Sequence, residues 1–115
     1  SKMKDYLKAS AVRWSAALKH VPDKPFLLYG TGSHSARLLP QLTDEQCKNL
    51  VAVLDGNVNL HGKCFGEWVV EPPEALVKYP DLPVLISSYR SAKLIAETLK
   101  RRFPEQSLQL MYDDV

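Results

Sequence analysis

The stretch Gly30-Thr31-Gly32-Ser33-His34-Ser35 holds the residues best suited to chemistry. Gly30 permits a tight turn, and Gly32 lets an anion approach the backbone with no side chain in between. Amide groups at the start of a following helix, aided by the helix dipole, favour a phosphate. Ser35, followed by Ala36, stands where a G-x-G-x-x-G fingerprint has its third glycine. The pattern therefore draws its weight from its context, an apolar strand before it and a helix after it. The competing reading is that the two glycines only shape a turn.

Two other segments end in polar residues that would meet this loop. Asp55 closes the run Leu50-Val51-Ala52-Val53-Leu54. An acid there accepts hydrogen bonds from ribose hydroxyls, or it caps the Gly56-Asn57 turn. Ser87 and Ser88 close the run Pro83 to Ile86. They line the same pocket, or they supply ordinary helix-entry chemistry. His34 is read as a phosphate or sugar contact, as a base, or as a polar residue of the first helical turn. His61 and Cys64 are two possible ligands where a zinc site needs more, so no metal is expected. Cys47 is expected to be buried and inert. No P-loop Gly-Lys-Ser/Thr is present.

The elements that must position these residues follow from periodicity. Met3, Leu7, Ala11, Trp14, Leu18 and Val21 recur at helical spacing, which predicts an amphipathic helix over 2–20 that Pro22 and Pro25 then stop. Phe26–Tyr29, Leu50–Leu54, Glu67–Val70, Pro83–Ile86 and Ser107–Met111 read as five short strands. A helix follows Ser35, with Pro40 bending or shortening it. Thr43 to Gln46 has capping-box spacing. Pro72-Pro73-Glu74 opens another helix, and Ala92 to Phe103 carries the apolar stripe of a third. Gly56 to Gly66 reads as polar and turn-rich. Strands alternating with helices predict a three-layer α/β, Rossmann-like domain over 25–115, preceded by the 2–21 helix. Its mostly parallel, five-stranded sheet is expected in the order 3-2-1-4-5, with the switch point between strands 1 and 4.

The 115 residues are 45% apolar and 24% charged, an ordinary globular composition that suits one domain. A net charge of +2 with scattered basic residues is too little to argue for nucleic acid or a membrane surface, and no nucleic-acid partner is expected. No apolar run reaches the ~18 residues of a spanning helix, and no signal peptide is apparent. Two widely spaced cysteines fit a reducing cytoplasmic compartment. The leading Ser1 is read as a cloning remnant, and the chain as a piece of a larger protein.

Residues 25–114 resemble the Rossmann-like domains of bacterial sugar-nucleotide and polysaccharide biosynthesis proteins. The resemblance lies in Leu27-Leu28-Tyr29-Gly30-Thr31-Gly32-Ser33-His34, Val51-Ala52-Val53-Leu54-Asp55, Leu60-His61-Gly62-Lys63, Glu71-Pro72-Pro73-Glu74-Ala75-Leu76 and Pro83-Val84-Leu85-Ile86-Ser87-Ser88. It points to the C-terminal domain of sugar C-methyltransferases and to the N-terminal nucleotide-sugar-binding domain of sugar O- and N-acyltransferases. The S-adenosylmethionine-binding domain of the former and the hexapeptide repeats of the latter do not occur in this sequence. The resemblance thus implies a binding module of a larger transferase, not catalysis by this chain alone.

The expected ligand is a nucleotide-containing small molecule, either NAD(P) or a nucleotide sugar. It would be held by Gly30, Thr31, Gly32, Ser33, His34, Ser35, Asp55, Ser87 and Ser88. The alternatives are a small NAD(P)-dependent oxidoreductase or redox sensor, and a ligand-free interaction domain. The partners to expect are a second copy of the chain or adjoining domains of a larger protein.

Overall fold

Four-residue apolar runs are too short to bury a helical stripe, and in this protein they form the centre of a sheet. The computed structural model describes residues 14–88 and 90–111. In chain order the elements are β1 (Phe26–Tyr29), α1 (Ser33–Leu38), α2 (Asp44–Asn49), β2 (Leu50–Leu54), β3 (Cys64–Phe65), β4 (Trp68–Glu71), β5 (Val84–Ile86), α3 (Ala92–Arg102) and β6 (Leu108–Leu110). Short 3-10 turns cover Leu39–Gln41, Val58–Leu60 and Pro73–Lys78. Residues 14–18 are helical. The expected helix over 2–20 is thus seen in its last part, and its first part lies outside the described residues.

The sheet runs β3-β4-β2-β1-β5-β6. β4, β2, β1, β5 and β6 are parallel neighbours, which reproduces the expected order of five. The strand count does not hold: the sheet is mixed and has six strands, because β3 pairs antiparallel with β4. β3 falls in the segment read as turn. Gly66, at φ +61, followed by Glu67, makes the two-residue hairpin link that joins β3 to β4. Two residues of strand are too few to show a period.

All four residues of β1 are buried, as a strand covered on both faces requires. Phe26 and Leu28 join one core cluster with Ala17, Val21, Leu38, Leu50, Val53, Leu85 and Met111. Leu27 and Tyr29 join the other, with Ala52, Leu54, Ala75, Leu76, Val84, Ile86, Ala92 and Leu99. Residues 14–21 and α1 thus cover one face, while the 73–78 turn and α3 cover the other. A register shift between Phe26 and Leu27 skips one residue of β2 and turns Val51 outward. Each fully buried leucine, such as Leu27, Leu28 or Leu85, contributes about 1.5–3 kcal/mol.

Local chemistry sets the helix ends. Thr43 Oγ1 accepts from the Gln46 amide and Gln46 Oε1 accepts from the Thr43 amide, so the expected capping box opens α2. Pro40 coincides with the change from α1 to a 3-10 turn. No helix among the described residues is long and apolar enough to cross a membrane.

Candidate functional site

In a parallel sheet the loops that bear side chains for a ligand lie beyond the carboxyl ends of the strands, where the connections diverge. β1 is central, with β2 on one side and β5 on the other. A cleft of about 470 Å³ opens there, lined by Gly30, Thr31, Gly32, Ser33, His34, Arg37, Asp55, Ser87, Ser88, Arg90, Ser91 and Ile95. The three sequence-distant segments expected to meet do meet.

The two glycines differ in what they do. Gly30 has φ +108, a region that favours glycine, and a Cβ there would lie 3.0 Å from the Ser87 carbonyl oxygen. Its role is conformational. Gly32 has φ −79 and heads α1 without a side-chain cap. A Cβ on it would meet nothing within 4 Å. The backbone does not demand a glycine there, and the space beside it is open.

Asp55 faces inward across the loop. Its Oδ2 accepts from the Thr31 amide at 2.9 Å and the Thr31 hydroxyl at 2.8 Å. Its Oδ1 accepts from the Asn57 amide at 2.8 Å. Of the about four acceptor positions on a carboxylate, three are taken. Asp55 therefore caps its own turn and also straps the glycine loop to β2. His61 Nε2 donates to the Asp55 carbonyl oxygen and ties down the same turn from below.

On the other side, His34 Nδ1 and Ser87 Oγ share a hydrogen bond of 2.7 Å. The imidazole also stacks on Trp14, with centroids 5.0 Å apart and planes 24° from parallel. Burial, and then the nearby Arg37 charge, hold the His34 pKa below the ordinary imidazole value. The ring is thus neutral near pH 7. Ser87 is only 3% exposed, although it lines the cleft floor. Ser35, 0% exposed, lies beneath the loop: its hydroxyl donates to the Gly30 carbonyl at 2.7 Å, with a longer contact to that of Ser87. Ser88 Oγ accepts from the Ser91 amide at 3.1 Å, the helix-entry chemistry that was one of its two readings. Ser33 is exposed on the rim.

Arg37 and Arg90 were missed from the sequence. Arg37 follows Ser33 by one helical turn and so shares its face, a signal that was legible. Arg90 was not, because its position depends on how the chain leaves β5. A Tyr-x-x-x-Lys pair, the spacing of a hydride-transfer site, is not expected from the sequence reading, yet Tyr89 and Lys93 have it. Tyr89 lies outside the described residues, and Lys93 is exposed and does not line the cleft. Cys47 is half-buried, not buried as expected, and Cys64 is exposed. Among the described residues no group of three or more His, Cys, Asp or Glu side chains gathers to hold a metal ion.

The arrangement has room, two guanidinium groups, a neutral imidazole and a fixed carboxylate, which suits recognition of a phosphorylated ligand. The sequence matches no protein-family model and no curated protein.

Proposed function

We propose that this chain is a Rossmann-like nucleotide-binding module that holds a nucleotide sugar within a larger transferase of sugar or polysaccharide biosynthesis. The observation that carries this reading is the cleft over β1 and β5, which Gly32, Arg37 and Arg90 all line and where a Cβ on Gly32 would meet nothing within 4 Å. A phosphate needs a backbone it can approach and cations to meet it, and both occur in one cleft. After Thr31 and Asn57, the Asp55 carboxylate keeps one acceptor direction, enough for one hydrogen bond to a ligand hydroxyl.

Calorimetric titration of the full chain with UDP-sugars, dTDP-sugars, NAD and NADP tests the reading. Saturable binding of a nucleotide sugar is expected, lost in a folded Gly32→Val variant. Absence of binding by all four ligand classes would overturn it.

A further inference from the structure

We propose that Arg37 and Arg90 act together as a clamp for a diphosphate, so that the ligand class is a nucleoside diphosphate or its ester and not a monophosphate. This inference rests on the nucleotide reading above and adds what part of the ligand the site measures. The two cations come from opposite sides of the switch point. Arg37 sits on α1, which follows β1, and Arg90 precedes α3, which follows β5. Both side chains are exposed, and among the described residues neither guanidinium has a hydrogen-bond or ion-pair partner. Two basic groups elsewhere do pair: Arg102 binds Glu74 at 2.7 Å and Lys78 binds Glu71 at 2.6 Å.

The other titratable groups lining the cleft make no ion pair with these two arginines. His34 is uncharged near pH 7, and the Arg37 charge is close enough to help keep it so. Asp55 makes its hydrogen bonds to Thr31 and Asn57 and none to either guanidinium. Two permanently charged, fork-shaped donors lining one cleft match two linked phosphates better than one. A single phosphate offers less charge and fewer oxygens to share between two guanidinium groups.

The experiment is calorimetric titration of the full chain and of Arg37→Gln, Arg90→Gln and the double variant. The probes are UDP, UMP, ADP, AMP, inorganic pyrophosphate and inorganic phosphate. Thermal melts confirm folding, which these exposed positions should not disturb. In the unsubstituted protein a diphosphate is expected to bind at least about tenfold tighter than its monophosphate. Each single substitution should remove about tenfold of diphosphate affinity, and the double substitution about a hundredfold. Equal affinity for diphosphate and monophosphate, or a loss confined to one arginine, would overturn the clamp and leave the nucleotide reading standing. Arginine-dependent binding of pyrophosphate without binding of any nucleotide or nucleotide sugar would support the clamp and overturn the nucleotide reading. If no probe and no nucleotide sugar binds, both are overturned.

Discussion

Thr31 gives both its amide and its hydroxyl to one oxygen of Asp55, at 2.9 and 2.8 Å. The pair joins the loop after β1 to the tip of β2, so the shape of the glycine loop depends on an acid in another strand. Asp55→Ala should destabilise the protein by about 1–3 kcal/mol, because three donors lose a charged acceptor. Thr31→Val should cost less, about 1 kcal/mol, since the amide bond persists. Urea denaturation of the two variants measures the order. A larger loss for Thr31→Val would show that the carboxylate is not the strap.

Glycine substitutions should separate backbone need from ligand need. Gly30→Ala places a Cβ 3.0 Å from the Ser87 carbonyl oxygen at a φ of +108, and should cost about 1–3 kcal/mol. Gly32→Ser meets open space and supplies a good helix cap where α1 has none, so stability should hold or rise by a few tenths of a kcal/mol. The same serine enters the space proposed above for a phosphate, so on that reading nucleotide affinity should fall. Thermal melts alongside titrations decide this. Undiminished affinity in Gly32→Ser would place the ligand elsewhere.

Acid should weaken the fold through His34. Its pKa is lower in the folded state than in the unfolded chain, chiefly by burial. As pH falls through the ordinary imidazole range, the unfolded state takes up the proton first. Stability contributed by the neutral ring is therefore present above that range and lost as pH falls toward the lowered folded value. His34→Gln removes the titration and should flatten the stability profile over this interval. A profile with the same slope in the variant would assign the effect to another group.

Trp14, Ala17, Leu18 and Val21 pack over Leu28, Leu38, Leu85 and Met111 on one face of the sheet. Ala17 is 1% exposed, so Ala17→Glu would bury an unpaired charge there. The variant should melt at a markedly lower temperature and expose apolar surface that binds a hydrophobic dye. An unchanged melting temperature would mean that the 14–21 segment does not hold the face. Trp14→Ala should additionally alter the His34 environment, readable as a shift of its imidazole titration by NMR.

Short-range pattern carried the architecture. Four- and five-residue apolar runs separated by helical stripes specify parallel strands with crossovers, and Phe26–Tyr29 and Leu50–Leu54 stand where their composition places them. The α2 capping box depends on residues three apart and was legible for the same reason. The hairpin of β3 was not, because its pairing rests on a two-residue strand and the backbone turn at Gly66.

The site divides along the same line. Glycine spacing and strand ends marked where a ligand would sit, since both are local. The partners of each side chain were decided only in three dimensions. Asp55 reaches Thr31 across 24 residues, and His34 reaches Ser87 across 53. Such contacts depend on which strands become neighbours. Only folding turned Ser35 under the loop, set Trp14 on the imidazole and left Arg37 and Arg90 facing one cleft, because a side chain's direction follows from the packing around it and not from its place in the chain.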